Sequence, residues 1–261
     1  MKPHVAHLCI VVALILASGC SGKKDESATA LKGPQIIQDM VTAHGGMEGW
    51  KKAPSISFTD QWGESSPRMA FVVEQSSRRA YFDIPGTATS GAWDGEKAWS
   101  VNWPMPTPVR FLALLNFYFI NLPWLTQDPG VILSEPGSGR LRDDPVEYVT
   151  VMMTFEPGTG DTPDDYYRLY IHPETKMLRA CDYIVTYQAL LDSGQTSTPE
   201  HCLVYDQITP VESVEVPAHF IIYEGDQVYA ECSISEYSLA RAFDESRMTM
   251  PEGAVEDTTS P

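Results

Sequence analysis

One stretch of the chain, Val109–Leu125, is hydrophobic at nearly every position. Only Arg110, Asn116 and Asn121 interrupt it, so a helix here is apolar on almost every face and must be buried in protein or in lipid. Spanning a bilayer takes roughly 20 apolar residues. This run is shorter, and its Pro123 lacks a backbone donor and is expected to kink or end a helix. The pattern therefore predicts a helix buried inside a concave β-structure.

Most of the other hydrophobic residues alternate with polar ones, with the period of two that is typical of strands. The alternation predicts a strand at Ser55–Trp62, a strand pair at 68–74 and 78–84, and a strand at Lys176–Tyr187 that is one of the two longest. With the downstream segments, the count reaches about ten or eleven antiparallel strands. A sheet of that size must curl, split or close.

The stretch Gly91–Ser100 carries Asp94-Gly95 at its centre, which is the strongest short signal for a β-hairpin. This hairpin supplies two of the strands counted above. We expect Trp93 and Trp99 to lie near each other across it.

Two short helical pieces precede the strands. Pro34–Ala43 spaces its apolar residues as a helix does, and the glycines that follow His44 are typical of a helix end. Met47–Trp50 predicts a second helical turn. The predicted fold class is therefore mainly β (α+β). We expect a highly curved antiparallel sheet, or open half-barrel, with helices on its concave face.

The N-terminus has the composition of a targeting segment. Lys2 supplies a positive charge, Val5–Leu16 is mostly apolar, and small residues lead to Cys20. The segment resembles the lipobox of bacterial lipoproteins, whose cysteine is lipidated, although Ala17 stands where that family prefers Leu or Val. An ordinary secretory signal is the alternative. We predict a lipoprotein signal peptide at 1–19 and lipidation of Cys20.

A flexible polar tether is predicted at residues 20–33, because this segment has little hydrophobic surface to bury. Ser21 resembles the pattern of lipoproteins sent to the outer membrane, and the charged run at 23–26 is similar to export signals of surface lipoproteins. We expect the lipid to hold the chain at the outer membrane, facing the periplasm or the cell surface. One domain at 34–243 and an acidic disordered tail at 244–261 complete the predicted organisation.

The composition narrows the range of partners. The chain has a formal net charge of −17, which argues against nucleic acid or an anionic membrane surface, because both attract clusters of Lys and Arg. Cys181 and Cys202 fall on or beside consecutive predicted strands and could pair; at least one thiol, such as Cys232, then stays free. No Cys-x-x-Cys spacing suggests zinc or redox chemistry.

The polar residues show no catalytic or metal-binding pattern. His44 ends a predicted helix, where its partial charge meets the last carbonyls favourably. Asp161, Asp164 and Asp165 lack the ligand spacing of a helix-loop calcium site and are interpreted as a solvated loop. The histidines further downstream have no metal-binding spacing, and no nucleophile, phosphate or dinucleotide motif occurs. We expect no enzymatic activity, metal or cofactor.

Several short motifs together resemble a family of uncharacterised bacterial lipoproteins. They are Ala43-His44-Gly45-Gly46 with Trp50, Asn116-Phe117-Tyr118, Leu122-Pro123-Trp124, Asp128-Pro129-Gly130, Gly160-Asp161-Thr162-Pro163-Asp164-Asp165 and His172-Pro173-Glu174-Thr175. The motifs occur within residues 34–240, and the family is similar to the LolA/LolB-like fold class, an open half-barrel. The resemblance implies an apolar cavity able to hold acyl chains, and it carries over no catalytic residue.

The candidate ligand-binding residues are Trp62, Trp93, Trp99, Phe111, Leu114, Phe117, Tyr118 and Trp124. An ordinary aromatic core has the same composition as a ligand pocket, which is mostly apolar, so two functions stay open. The first is a binding module that holds a hydrophobic small molecule or acyl chain. The second is a packed half-barrel that serves as a structural or protein-interaction module of the envelope. The first requires an accessible cavity beside the apolar helix, and the second requires none.

Overall fold

A computed structural model describes residues 30–259. The predicted signal peptide at 1–19, Cys20 and the tether up to residue 29 lie outside the described residues. Leu31–Pro261 forms one compact unit. None of the helices in the described part of the chain combines the length and hydrophobicity needed to cross a membrane.

The described chain contains three α-helices, two short 3-10 helices and fourteen strands. The α-helices are α1 (Gln35–Ala43), α2 (Met47–Lys52) and α3 (Val109–Leu125), and the 3-10 helices lie at Gln188–Leu190 and Glu245–Met248. The strands are β1 (Ser55–Trp62), β2 (Met69–Glu74), β3 (Ala80–Asp83), β4 (Ser90–Trp93), β5 (Ala98–Val101), β6 (Val131–Leu133), β7 (Gly137–Arg140), β8 (Glu147–Phe155), β9 (Tyr167–Ile171), β10 (Leu178–Tyr183), β11 (His201–Val211), β12 (Val214–Glu224), β13 (Gln227–Ser238) and β14 (Val255–Asp257).

All these strands form one antiparallel sheet, in the order β14-β5-β4-β3-β2-β1-β13-β12-β11-β10-β9-β8-β6, with β7 also paired to β8. The two end strands of this order do not pair with each other, so the sheet is open. The predicted mainly β fold with one large curved sheet is confirmed. The strand count is 14, above the predicted ten or eleven. A strand was predicted at Val131–Glu135, where β6 lies, whereas β7 and β14 were missed because they are too short to show an alternation.

The apolar helix α3 lies on the concave face of the sheet. It contacts β2 to β5 and also β12, and these strands lie on opposite sides of β1 and β13 in the sheet order. The sheet must therefore curve around the helix. The predicted helix at Val109–Leu125 and its burial against a concave β-structure are confirmed.

Helix α3 continues past Pro123 to Leu125. A proline has no N–H, so the carbonyl of Phe119, four residues earlier, loses its helical partner. The hydroxyl of Tyr205 on β11 donates a hydrogen bond to that carbonyl. The sheet thus satisfies the acceptor that the proline leaves free, and the helix does not end at the proline.

The strand predicted at Lys176–Tyr187 is shorter, since β10 covers only Leu178–Tyr183. Lys176 has a φ of 63°, a left-handed conformation that belongs to a turn. Beyond β10, the N–H and hydroxyl of Thr186 both donate to the carboxylate of Asp165. A backbone turn therefore precedes the strand, and side-chain hydrogen bonds to Asp165 replace the ladder after it.

The β4–β5 hairpin forms where it was predicted, but its register separates the two tryptophans. Trp93 lies opposite Ala98, and Trp99 lies opposite Ala92. Opposed residues share a face and successive residues alternate between faces, so Trp93 belongs to the main core and Trp99 to a small cluster on the other face. The prediction that they are neighbours across the hairpin is wrong.

The prediction of a disordered tail at 244–261 is wrong for its described part. The 3-10 helix of this tail is fixed by ion pairs of Glu245 with Arg79 and of Arg247 with Asp83, each at 2.8 Å. Strand β14 then pairs with β5. The acidic composition hid these contacts because their partners lie more than 150 residues away in the sequence.

The same segment continues the fold in two further ways. Phe243, Met248 and Ala254 pack against the small cluster that contains Trp99. Asp257 accepts a hydrogen bond of 3.1 Å from the N–H of Arg110 at the N-terminus of α3. The carboxylate thus satisfies one of the free donors with which every helix begins.

The flexible tether predicted at 20–33 ends before its predicted boundary. Leu31 packs against the main core. The N–H of Lys32 donates to the side-chain carbonyl of Gln127 at 2.8 Å, and its ammonium group donates to the carbonyl of Val131 at 3.3 Å. The chain is therefore attached to the domain from residue 31 onward.

Candidate functional site

The two sides of α3 differ in burial. One side packs fully against other parts of the core, through Leu112, Ala113, Asn116, Phe117 and Ile120. The other side is only half-buried and consists of Arg110, Phe111, Leu114, Leu115 and Tyr118. Their spacing of i, i+1, i+4, i+5 and i+8 places these five residues on one helical face. A mostly apolar helix face is thus left without close packing.

This half-buried face lines a cavity of about 310 Å³. The remaining walls come from Met153, Phe155 and Tyr167 of β8 and β9, from Val185 and Tyr187 beyond β10, from Asp128, Pro129 and Val131, from the loop 159–165, and from Arg78 and Trp93. Small-molecule pockets range from about 300 to 1,000 Å³ and are mostly apolar with a few polar groups. The cavity therefore has the size and lining of a small ligand site.

Two ion pairs lie in the cavity wall. Arg78 pairs with Asp128 at 2.6 Å, and its guanidinium lies 4.9 Å from the centre of the Phe117 ring. Arg110 makes two hydrogen bonds to Asp161, and its guanidinium lies 4.1 Å from the centre of the Trp93 ring. Both arginines are held between a carboxylate and an aromatic face, which fixes their position.

Asp165 is the third carboxylate of the cavity. Its oxygens accept hydrogen bonds of 2.7 Å from the hydroxyl of Thr162 and from the N–H and hydroxyl of Thr186. Burial raises the pKa of this carboxyl group, although the three donors oppose that shift. All three donors belong to this chain, and the two from Thr186 fasten the loop 159–165 to the segment after β10.

Three tyrosines line the cavity, namely Tyr118, Tyr167 and Tyr187. The hydroxyl oxygen of Tyr187 is buried and has no hydrogen-bond partner among the described residues. Burial raises the pKa of Tyr118 and raises that of Tyr167 well above the usual value. All three groups are therefore neutral phenols near pH 7. The Tyr187 oxygen, being buried, is not open to the space of the cavity, and the ring of this residue contributes to the apolar wall.

Four of the eight predicted ligand-binding residues line this cavity: Trp93, Phe111, Leu114 and Tyr118. The apolar helix and the hairpin beside it are the sequence features from which these four residues were predicted. The cavity wall thus contains the half of the predicted set that belongs to the half-buried helix face or lies next to it.

The other four predicted residues lie elsewhere. Phe117 and Trp124 are completely buried and pack against Trp50, at 5.9 and 5.3 Å between ring centres. Trp62 packs edge-on against a phenylalanine of β12, and Trp99 lies on the opposite face of the sheet. None of these four lines the cavity, because each points into a packed part of the fold.

The sequence reasoning missed the walls that face the helix, among them Met153, Phe155, Tyr167 and Tyr187. Alternation along β8 and β9 marks their inward-facing positions. It does not tell which inward positions meet α3 closely and which leave space. That distinction depends on the curvature of the sheet, which no local pattern reports.

His44 serves as a structural joint. Its Nδ1 lies 2.9 Å from the carbonyl of Glu215, and its Nε2 accepts from the N–H of Leu178 at 3.1 Å. Burial lowers the pKa of His44 to about 4, against the opposing effect of the Glu215 carbonyl. The neutral ring, with its proton on Nδ1, therefore links α1 to β12 and β10.

The glycine after this histidine is required by the same joint. Gly45 has a φ of 102°, and a Cβ there would lie 2.2 Å from the carbonyl oxygen of Ser213. The carbonyl of Gly46 accepts a 2.8 Å hydrogen bond from the indole of Trp124, which stacks on Trp50. The motifs around residues 43–50 and 122–124 thus meet in one packed joint.

Asp60 and Asn116 form a buried polar pair between β1 and α3. The amide nitrogen of Asn116 donates to Oδ2 of Asp60. The other oxygens, Oδ1 of Asp60 and Oδ1 of Asn116, have no hydrogen-bond partner among the described residues. Burial raises the pKa of Asp60 to about 7, although Asn116 and Trp62 oppose the shift. The carboxyl group therefore keeps its proton in mildly acidic solution.

Cys181, Cys202 and Cys232 are free thiols. Cys181 lies opposite Leu203, whereas Cys202 lies opposite Asp182, so the two cysteines are one position out of register and point to opposite faces of the sheet. The suggested pairing of Cys181 with Cys202 is not formed. Within residues 30–259, no group of three or more His, Cys, Asp or Glu side chains is placed to hold a metal ion.

No protein-family model matches the sequence, and no curated protein matches it. Solved structures with a similar fold include a LolA superfamily protein from Nitrosomonas europaea, at 10% identity over 85% of this chain and 99% of that one, with a TM-score of 0.49.

Two further similar structures come from other bacteria. One is a DUF1329 family protein from Desulfovibrio piger, at 11% identity over 82% of this chain and 96% of that one, with a TM-score of 0.49. The other is a domain assigned to outer membrane lipoprotein sorting from Vibrio parahaemolyticus, at 9% identity over 82% and 94%, again with a TM-score of 0.49. These likenesses do not establish the family of this chain.

Proposed function

We propose that this chain is an envelope lipoprotein that binds a hydrophobic ligand, a lipid or an acyl chain, in the cavity beside α3, without catalysis. The observation that carries the proposal is the cavity of about 310 Å³ along the half-buried face of α3. Exposed apolar groups on a helix are unfavourable unless another surface covers them. The packed half-barrel requires no such cavity, so the ligand-binding alternative is favoured.

The location of the motifs supports the same proposal. The segments Asp128-Pro129-Gly130 and Gly160–Asp165 are two of the motifs that resemble a lipoprotein family. Both contribute residues to the cavity wall. The two ion pairs of the wall tie these segments to Arg78 and Arg110. They hold the polar edge of the cavity in place beside its apolar walls.

The proposed location is the outer membrane, through a lipid on Cys20. Metabolic labelling with an alkyne fatty acid is expected to label the full chain and not its Cys20→Ser variant. An unlabelled wild-type chain, expressed in a bacterium that lipidates a control lipoprotein, would contradict the anchor and leave the cavity unaffected.

The binding proposal is tested on a chain that begins at Ser21, which retains the whole compact unit from Leu31 onward. Native mass spectrometry, followed by extraction and identification of lipids, is expected to show a co-purifying acyl-chain compound. After its removal, the chain is expected to take up a fluorescent fatty-acid analogue. A chain that carries no lipid and takes up no analogue would falsify the binding function.

A matched pair of variants locates the site. Leu114→Lys places a charge in the cavity wall and is expected to reduce uptake of the analogue at least tenfold, because an ammonium group cannot be buried cheaply beside an acyl chain. Leu190→Lys makes the same change at an exposed position outside the cavity and is expected to leave uptake unchanged. Equal uptake by both variants would place the ligand elsewhere.

A further inference from the structure

The segment through which the chain enters the domain lies against the wall of the cavity. The N–H of Lys32 donates to the side-chain oxygen of Gln127 at 2.8 Å, and the amide nitrogen of Gln127 donates back to the Lys32 carbonyl at 3.3 Å. The ammonium group of Lys32 donates to the carbonyls of Asp128 and Val131. Both of these residues belong to the cavity wall. The compact domain therefore begins beside the cavity.

The same part of the wall forms the mouth of the cavity. Among the wall residues, the exposed ones are Pro129, Gly160 and Asp161, and the others are buried or half-buried. The two loops that carry them touch each other, because a Cβ at Gly130 would lie 2.3 Å from Oγ1 of Thr159. The mouth thus lies at the loops 128–131 and 159–161, and the first of these loops holds Lys32.

The opposite end of the domain is the turn 172–177. Helix α1 has 9 residues and leads away from the mouth over about 14 Å. It ends at His44, whose ring accepts from the N–H of Leu178, just after the turn. Strand β9 likewise runs from Tyr167 in the cavity wall to Ile171, just before the turn, over about 15 Å. Two elements thus separate this turn from the mouth.

The length of the N-terminal segment limits how far the mouth can be from an anchoring membrane. Residues 21–30 join Cys20 to Leu31, and a chain of that length spans at most about 40 Å. A bilayer that holds a lipid on Cys20 therefore lies within that distance of Leu31. An acyl chain leaves a bilayer through water at a large cost, because its apolar surface is exposed on the way. A site held close to the bilayer shortens that path and raises the effective concentration of the ligand.

We propose that the N-terminal segment turns the mouth of the cavity towards the membrane that anchors the chain, and that the cavity takes its acyl-chain ligand directly from that bilayer. The partner is the lipid bilayer, and the surface that meets it consists of the loops 128–131 and 159–161. This inference rests on the proposed binding function and on the proposed anchor, and it adds the source of the ligand.

The test attaches the domain to vesicles by either of its two ends. Two chains that begin at residue 21 carry Ser21→Cys or Thr175→Cys. Thr175 is an exposed residue of the turn opposite the mouth. Both chains also carry Cys202→Ser, so that the remaining native thiols, Cys181 and Cys232, are buried. Each chain is coupled to phosphatidylcholine vesicles that contain a small fraction of maleimide-phosphatidylethanolamine and a fatty acid with a diazirine and an alkyne.

Loading is followed by flashes of ultraviolet light, which join the fatty acid covalently to the chain at chosen times, and the alkyne then reports the labelled band. Labelling that Leu114→Lys abolishes is counted as cavity loading. We expect the chain coupled at residue 21 to load about fivefold faster or more than the chain coupled at residue 175, because only the first holds the mouth near the bilayer. Before coupling, both chains are expected to bind the same fatty acid in solution equally well, which shows that both are folded.

The outcomes separate the source of the ligand from the binding function. Equal loading of the two coupled chains, or faster loading of the chain coupled at residue 175, overturns the proposed orientation and leaves binding in place. If neither coupled chain loads although both bind the fatty acid in solution, direct exchange with the bilayer is overturned. If the uncoupled chains bind no fatty acid, the proposed function itself fails.

Discussion

Two buried titratable residues give the fold opposite dependences on pH. His44 holds two strands in its neutral form, and Asp60 contacts α3 in a setting that favours its protonated form. A pKa that differs between the folded and unfolded states makes stability depend on pH. Each residue therefore leads to a separate prediction about the pH dependence of stability, and a variant of that residue tests it.

The pKa of His44 is lowered from 6.5 to about 4 in the folded state. Its contribution is thus fully present above pH 6.5 and is lost as the pH falls towards 4, by up to about 3 kcal/mol at about 1.4 kcal/mol per pKa unit. We expect His44→Ala to destabilise the chain by about 2–4 kcal/mol at pH 7.5 and by clearly less at pH 5. Urea unfolding at both pH values measures the difference, and an equal loss at both would exclude the titration.

Asp60 behaves in the opposite sense. Its pKa is raised from 3.8 to about 7, so its contribution is fully present below pH 3.8 and is lost as the pH rises through 7, by up to about 4 kcal/mol. The side-chain amide that Asp60→Asn introduces retains a neutral partner for Asn116. We expect this variant to gain stability relative to the wild type between pH 4.5 and 7.5 in urea unfolding. A stability difference that does not change with pH would show that Asp60 is ionised throughout.

At the scale of single elements, the helix α3 depends on a partner in the sheet. The Tyr205 hydroxyl donates to the Phe119 carbonyl that Pro123 leaves without a helical donor. We expect Tyr205→Phe to cost about 1–3 kcal/mol, because a buried carbonyl loses its partner. In the background Pro123→Ala the backbone N–H returns, and the cost of Tyr205→Phe should fall. Urea unfolding of the four chains forms a double-mutant cycle, in which a coupling near zero would contradict the compensation.

The N-terminus of the same helix has a cap from a distant element. Asp257 of β14 accepts from the N–H of Arg110, and loss of such a cap typically costs about 1 kcal/mol. We expect Asp257→Ala to lower the free energy of unfolding by about this amount. Asp143→Ala serves as the control, because the Asp143 carboxylate is exposed and pairs with none of the residues that the structure describes. Equal stability of the two variants would exclude a capping role.

These elements also show how far the sequence could predict the structure. Continuous hydrophobicity marks Val109–Leu125 with its correct bounds, because burial on all faces leaves a strong local signal. The length of β10, the faces of Trp93 and Trp99, and the opposite walls of the cavity depend on register and on sheet curvature. Those properties arise from pairings between distant residues. Hence half of the predicted ligand-binding residues line the cavity and half do not.

At the scale of the whole molecule, an open sheet has two edges and must keep its curvature around α3. The C-terminal segment contributes to both. Strand β14 pairs with β5 and so covers the edge that β5 would otherwise leave free, Ala254 packs near Trp99, and Asp257 caps the helix. A free sheet edge invites pairing with other chains. The segment thus links the sheet edge, the outer face and the central helix.

Removal of residues 252–261 tests this role. The deletion removes β14 and the helix cap and partly uncovers the cluster around Trp99. We expect a loss of about 2–4 kcal/mol in urea unfolding, since one cap and part of an apolar contact disappear together, and faster aggregation through the exposed edge of β5. A chain that lacks only residues 260–261 is the matched control and should unfold as the wild type does. If both truncated chains unfold at the same urea concentration, the segment does not stabilise the half-barrel, and its pairing with β5 is not part of the fold's stability.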